Sequence, residues 1–416
     1  MDAVRSEGRR VLKGVWMFTV IRGVGMPGFM YLYPLYILTL GYHTADLGPI
    51  ATYAALISAL LLPLIGYLTD SGHASEVGIV AGSSTVLSLL LPALIPTYPI
   101  LILSYALSYL GMMSWQVSRG SLTAKIVSSS TLGKHFGLLA ALYNVMNIVT
   151  PFALGLLLTF FTYKELLIYL SIFMVAGTSG FAAIVLPPAR NVEETHRAEA
   201  TSQGVRDEWL ECRGASGLRK GVCIYRKALL IDKRVIPLAL FGILDRYGWM
   251  LWMPMINAYL KEYLGFEDMA VSWFNTLRGV GMLVSALPAG HIADVLGAVQ
   301  VLILNEFIGA SSVAALLTSS PPIIYLAAFV MGWSMAFWVT GYNTITATIL
   351  GPRNMGRVRS GVDSLRTYFS VPAPMIGSAI FRGIGTAAPF AFGAVLMVSA
   401  ALPLIAGMRR GWGRLT

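Results

Sequence analysis

Charge is what this chain has least of. Acidic residues number 20 and Lys plus Arg 30 among 416 residues, 12% in all, against the roughly 25% a soluble chain uses to clothe its surface. With 56% of residues hydrophobic, that shortage argues against the two or three soluble domains the length would otherwise suggest. Cysteine is nearly missing: Cys212 and Cys223 fit no zinc spacing and read as bystander thiols in a polar stretch. The five histidines, His43, His73, His135, His196 and His291, are scattered. They assemble no catalytic set or metal cluster, so neither an enzymatic activity nor a cofactor is expected. A glycine-rich phosphate loop ending in lysine and a hydroxyl residue is also lacking, which removes ATP as a drive. The formal net charge of +10 does not point to nucleic acid, because the basic residues form no stripe and do not interleave with exposed aromatics. After the basic start MDAVRSEGRR, the first apolar stretch runs about 25 residues without a small-residue cleavage site. That is the pattern of a retained span and not of a signal peptide.

What the chain does have is a series of long apolar segments. Six lie near 14–38, 47–69, 77–95, 98–122, 136–160 and 165–187, and six more near 235–260, 269–293, 299–318, 322–347, 361–383 and 387–407. Each is about the 17–25 residues a crossing needs. In lipid the backbone must satisfy its own hydrogen bonds, so the segments are helices; barrel strands would be about half as long. The fold class that follows is all-α: a polytopic membrane protein of twelve transmembrane helices in two pseudo-symmetric six-helix bundles. The bundles occupy 1–187 and 235–416, joined by a linker over 188–234. An even number of spans puts both termini on one side. Placing them in the cytoplasm gives that side Arg5, Arg9, Arg10, Lys13, Lys125, Lys134, Arg353, Arg357, Arg359, Arg409, Arg410, Arg414 and the basic residues of the linker. The other side receives only Lys164, Lys261 and Arg382, so the positive-inside rule fixes the orientation in an inner or plasma membrane. The linker mixes both signs and has too little apolar content for a core. Short amphipathic helices are expected there around Trp209–Leu210 and Ile224–Leu230.

The two halves repeat one another. At an offset of 224, Arg22 matches Arg246, Met26 matches Met250, Gly41 matches Gly265, Gly66 matches Gly290, Asp70 matches Asp294 and Gly137 matches Gly361. The loop after the second span runs Gly66-Tyr67-Leu68-Thr69-Asp70-Ser71-Gly72-His73, and its counterpart after the eighth runs Gly290-His291-Ile292-Ala293-Asp294-Val295-Leu296-Gly297. Gly66 and Gly290 permit close helix approach. Asp70 and Asp294 suit helix N-termini or a nearby arginine, and Gly72 and Gly297 suit a tight reversal. Two copies in register read as a gating latch. Twelve spans in two sixes with this loop in both halves resemble the major facilitator superfamily, over nearly the whole chain outside the tails and linker. That family's loop continues with basic residues where this chain has Ser71 and His73, and Val295 and Ala298. Arg119, which resembles the family's fourth-span arginine, and Arg366 with Asp363 are placed to supply the missing gating charge. Asn144, Asn147, Pro151 and Gly155, with Pro372, Pro374 and Gly377, resemble the family's proline–glycine pattern at the interface of its halves. The segment Arg246-Tyr247-Gly248, Trp252, Pro254 and Tyr259-Leu260-Lys261-Glu262 resembles the seventh span of organophosphate/phosphate exchangers in the same superfamily. That resemblance implies a first-span and a seventh-span arginine acting on one anion, the places of Arg22 and Arg246.

Charges inside the spans carry the functional reading. Arg22 falls roughly 12 Å into its helix, Arg246 roughly 16 Å, and Arg278 roughly 13 Å below the opposite face. A charge at the centre of a span costs about 2.5–3.5 kcal/mol, so each needs a partner or an aqueous cavity. Arg246, Trp249, Met253 and Asn257 recur at helical spacing, Asn275 shares a face with Arg278, and Arg22, Met26, Phe29 and Tyr33 share another. Cations, amides and aromatics on one stripe suit an organic molecule with an anionic end. The expected solute site is Arg22, Arg246, Arg278, Asn275, Trp249, Asn257 and Tyr33. Mutual pairing, such as Arg278 with Asp245, is the alternative. Asp245 and Glu306 are the candidates for proton coupling; Asp245 is preferred because it sits beside Arg246, and Glu306 could instead brace helices through Asn305. The expected machine is a secondary active transporter of a small organic solute, leaning anionic, working by alternating access with protons, as a monomer in the bilayer. A multidrug or sugar transporter, strict anion exchange and a non-transporting receptor or scaffold stay open.

Overall fold

A computed structural model describes residues 2–127, 131–202 and 236–409. The expected helices around Trp209–Leu210 and Ile224–Leu230, and both cysteines, lie outside these residues. Seven helices lie before the stretch 203–235: α1 (Asp2–Thr39), α2 (Leu47–Leu68), α3 (Ala74–Leu94), α4 (Tyr98–Ile126), α5 (Leu132–Leu157), α6 (Tyr163–Ile184) and α7 (Leu186–Ser202), the last of which occupies the start of the expected linker. Seven follow it: α8 (Ile236–Met250), α9 (Ile256–Glu262), α10 (Asp268–Leu296), α11 (Ala298–Ala315), α12 (Pro321–Ser370), α13 (Ala373–Gly383) and α14 (Ala388–Arg409). The starts follow local chemistry. Thr162 and Glu165 form a capping box on α6, the Thr162 amide donating to Glu165 at 2.8 Å and the Glu165 amide to Thr162 Oγ1 at 3.3 Å. Proline opens α4 and α12, where a missing N–H costs nothing.

Among the described residues ten helices are long and apolar enough to cross a membrane: α1 to α6, α10, α11, the stretch Pro321–Thr346 of α12, and α14. The protein is an all-α polytopic membrane protein. Large apolar side chains on these helices are exposed, Leu287 of α10 to 86%, as lipid-facing helices allow. The expected seventh span is not one helix. It stops at Met250, passes through a short 3-10 turn over Met253–Met255, and resumes as α9. Pro254 has no N–H to continue the ladder, and the fully buried Trp252 packs on Trp249 and Phe390 at the break. The expected eleventh span is shared between the end of α12 and α13, on either side of Val371 and Pro372. Tyr342 donates to Asp363 at 2.8 Å although 21 residues separate them; a straight helix would hold them about 30 Å apart. The chain therefore reverses between these two positions.

By internal contacts the chain divides into two compact units. The first is Met1–Leu32, Ile57–Thr150 and Leu157–Tyr225; the second is Tyr33–Leu56, Pro151–Leu156 and Arg226–Thr416. In the first, α3 packs against α4 and α6 around a core of Phe18, Trp115 and Phe181, with Phe18 4.9 Å from Trp115 and 4.5 Å from Phe181. In the second, α10 and α11 pack chiefly on α12, and α8 on α14, with Phe241, Leu302, Tyr342 and Leu404 in its core. The repeat survives in backbone geometry: Gly41 and Gly265 both take the left-handed turn, at φ 85° and 69°, where a side chain would be strained.

Candidate functional site

In the first unit Arg22 projects from α1 onto α3. It is 2% exposed, and its Nη1 donates to the Ala81 carbonyl at 2.6 Å and to Thr85 Oγ1 at 2.7 Å. Both acceptors are neutral. Among the described residues no carboxylate comes within ion-pair range of Arg22, and the ionisable groups that act on it are Tyr143 and Arg119. Arg119, expected at the gating loop, instead shares the neighbourhood of Tyr143 with Arg22. Two guanidiniums beside a phenol leave net positive charge in an apolar interior, the complement of an anion. Met26, Phe29 and Tyr33 continue the stripe along α1 and are buried.

The second unit assembles two groups of the expected residues. In one, Arg278 Nη2 donates to Asn275 Oδ1 at 3.1 Å, and Asn275 Nδ2 donates to Asn257 Oδ1 at 2.9 Å. The chain of amides joins α10 to α9 just past the helix break, and both asparagines are buried. The other group surrounds Asp245, which is 2% exposed. Its partner is not Arg278 but Arg366, with Nη2 3.9 Å from Asp245 Oδ2; the charge of Arg246 also reaches it. Arg366, expected in the gating latch, is held here. Its Nη1 lies 3.3 Å from Asp363 Oδ1, and its guanidinium stacks 4.4 Å over the Trp338 ring. Arg246 donates to Ser370 Oγ at 3.0 Å. The indole nitrogens of Trp249 and Trp338 approach Asp245, yet Asp245 Oδ1 has no aligned donor.

Glu306 lies close enough to feel the charge of Asp245. It is fully buried on α11. Asn305 Nδ2 donates to its Oε1 at 2.7 Å, while Ser334 Oγ donates to Asn305 Oδ1 at 2.7 Å, tying α11 to α12. Glu306 Oε2 has no hydrogen-bond partner. Asp245, Glu306 and Asp363 thus face Arg366 and Arg246: three acids against two guanidiniums.

The two matched loops are less alike than their sequences. Thr69–His73 winds as a wide π-type turn with Gly72 at φ 83°, and Gly297 ends α10 at φ 95°. Among the described residues nothing lies within 4 Å of a Cβ placed on Gly66 or Gly290. Asp294 is exposed and makes no ion pair among the described residues; the side chain of Asp70 lies outside them. A carboxylate missed in the sequence binds here instead. Glu193 of α7 is 3% exposed and accepts from the Ala74 amide at 2.8 Å, from Ser75 Oγ at 2.8 Å and from Lys125 Nζ at 3.2 Å. It caps α3 and ties α7 to α4. The only sequence signal was an acid in a mixed-charge stretch, which does not reveal burial.

None of the curated proteins matches this chain. Its fold does match solved structures. A mutant of the peptide transporter POT in complex with alafosfalin has a TM-score of 0.70 at 15% identity, covering 97% of this chain and 96% of that one. A mutant of the nucleoside transporter NupG has a TM-score of 0.73 at 11% identity, covering 96% and 100%. A POT family transporter in complex with 5-aminolevulinic acid has a TM-score of 0.69 at 13% identity, covering 96% of each. Likenesses this distant establish the fold. The Major Facilitator Superfamily matches residues 15–244 and again 238–410, nearly the whole chain in two consecutive blocks, and the protein belongs to that family of secondary active transporters, which move small organic solutes by alternating access and catalyse no reaction.

Proposed function

We propose that this transporter carries a small organic solute with an anionic group and couples its movement to protons. The observation behind the anion is Arg22, buried on neutral acceptors with no carboxylate in range among the described residues. A guanidinium so placed holds binding capacity that a carboxylate or phosphate of the solute completes. Arg119 joins it, since its charge reaches Arg22. Arg246, Arg278, Asn275, Asn257, Trp249 and Tyr33 contribute polar and aromatic surface for the rest of the solute. The proton is assigned to Asp245 and Glu306, where carboxylates outnumber arginines and two oxygens are unpartnered. Arg366 is their counter-charge. The loops at Gly66–Asp70 and Gly290–Asp294 serve gating. Twelve spans in two six-helix bundles, a monomeric state, and an inner or plasma membrane setting with both termini cytoplasmic complete the reading, on the strength of the positive charge at one side.

The test is transport in proteoliposomes with a panel of carboxylate- and phosphate-bearing solutes. Hydrogen bonds to a charged group contribute about 1.5–3 kcal/mol, so Arg22→Gln and Arg246→Gln should each weaken uptake or exchange of the best solute by roughly ten- to a hundredfold. Unchanged transport in both variants would sink the anion reading. Export of neutral or cationic drugs that survives both changes would favour the exporter.

A further inference from the structure

Within the second unit, the turn after α1 is tied down by side chains that the proposed solute and proton sites leave unused. Glu262, the last residue of α9, meets the turn with both oxygens: Oε1 lies 2.7 Å from His43 Nδ1, and Oε2 accepts from the Thr44 amide at 2.8 Å and from Thr44 Oγ1 at 2.6 Å. From α13, Arg382 bridges to Asp46 Oδ1 and Ser378 Oγ donates to the Ala45 carbonyl. The Met375 amide donates to Thr52 Oγ1 at 2.9 Å. Asp46 Oδ2 accepts from the His43 amide at 2.9 Å, which fixes the turn itself. Four consecutive residues, His43 to Asp46, are each held by α9, by α13, or by both. The turn lies at the end of α1 remote from the chain terminus, on the face that must open at one stage of alternating access.

We infer that this cluster is a proton-sensitive latch, in which a proton bound between His43 and Glu262 holds the turn against α9 and its loss favours opening of the face remote from the termini. The inference rests on alternating access in this family and not on the identity of the solute.

The electrostatics supports it. The hydrogen bond that His43 donates to Glu262, and then the charge of Glu262, push the His43 imidazole above its ordinary value; Asp46 adds to this, while slight burial and Arg382 oppose it. Burial works against ionisation of Glu262, but the Thr44 and His43 bonds outweigh it and hold the carboxylate below its usual range. The charged groups facing His43 are therefore Glu262 from α9, Arg382 from α13 and Asp46 from its own turn. Lys261 is engaged by Asp268. For a raised histidine the added stability is complete below the ordinary imidazole value and disappears as pH climbs through the raised one. For a lowered carboxylate it is present above the ordinary carboxylate value and lost as pH falls through the depressed one. The latch is strongest between those limits and loosens on the alkaline side, as the His43–Glu262 strut loses its proton. Loss of that proton leaves the Arg382–Asp46 bridge and the Thr44 bonds to Glu262 in place, so pH biases the opening and does not abolish closure.

The test measures distance and not transport, so its failure leaves the solute reading standing. Cys212→Ser and Cys223→Ser clear the background, Thr39→Cys and Glu267→Cys carry spin labels, and the protein is placed in lipid nanodiscs. Electron–electron distances are recorded from about pH 5 to about pH 9. The expected result is one short-distance population at the acid end and a longer one growing in with a one-proton midpoint above the ordinary histidine value. His43→Gln should remove that titration, and Glu262→Gln should enrich the longer distance at every pH. A wild-type distribution that ignores pH, a His43→Gln variant that titrates like wild type, or a Glu262→Gln variant that stays short would each overturn the latch.

Discussion

Arg22 and Glu193 are both buried and both charged, and they are stabilised in opposite ways. Glu193 has three donors, one of them the Lys125 ammonium, whereas among the described residues Arg22 donates to a carbonyl and a hydroxyl. The first is a completed structural joint, the second a site with charge to spare. Removing a carboxylate that satisfies three donors leaves each of them unmatched, and hydrogen bonds to charged groups contribute about 1.5–3 kcal/mol. Glu193→Ala should therefore lower the thermal unfolding temperature in detergent well beyond the change in Glu194→Ala, whose side chain is exposed. Equal, small shifts would contradict the capping role. The residue scale is also where the sequence was most and least informative. Arg22, Arg246, Arg278, Asp245 and Glu306 stood out because charge inside an apolar run is costly wherever it occurs. Their partners did not: Thr85 lies 63 positions from Arg22, and Arg366 displaced Arg278 as the companion of Asp245 only through the packing of α8 on α12.

At the scale of elements, the apolar segments were legible because length and hydropathy alone mark a crossing. Interruptions were harder to place. Pro254 was visible, yet Met253 and Asn257 were assigned one continuous helical stripe with Arg246, and the break between α8 and α9 dissolves that stripe. Asn257 instead joins Asn275 on α10. Helix contacts were equally out of view. Among the described residues nothing meets a Cβ at the matched pair Gly66 and Gly290, whereas Gly281 on α10 and Gly332 on α12 make a close approach: a Cβ on Gly281 would fall on the Phe329 carbonyl, and one on Gly332 on the Arg278 carbonyl. Backbone oxygens cannot swing aside as a side chain can, so Gly332→Ala must part the two helices. Overpacking of this kind costs typically about 1–3 kcal/mol. Gly332→Ala should reduce thermal stability in detergent and, because it displaces the backbone of Arg278, weaken solute binding as well. Gly290→Ala, in open space, should leave both near wild type. Stability of Gly332→Ala equal to that of Gly290→Ala would rule out the close contact.

At the scale of the molecule, the doubled sequence and the two matched family blocks describe the same repeat, and the paired left-handed turns at Gly41 and Gly265 repeat it in backbone geometry. The repeat does not extend to chemistry. In the first unit Arg22 and Arg119 lie near one another, with no carboxylate in ion-pair range of Arg22 among the described residues. The second concentrates acid around Arg366, in Asp245, Glu306 and Asp363. On the proposed reading the arginines of the first unit draw the anionic group of the solute and the acids of the second handle the proton, and that division is its central claim. A carrier so built accumulates its solute when a pH gradient is imposed, because protonation of the Asp245–Glu306 pair and occupancy of the solute site are linked through one cycle. Asp245→Asn keeps the shape and removes the titrating charge. The direct measurement is solute accumulation in proteoliposomes under an imposed pH gradient, for the native chain and for Asp245→Asn, with counterflow against internal solute recorded in parallel. The account predicts gradient-driven accumulation by the native chain, lost in Asp245→Asn while counterflow persists. Native transport that ignores the gradient and depends only on internal counter-solute, unchanged in Asp245→Asn, would contradict proton coupling and leave anion exchange.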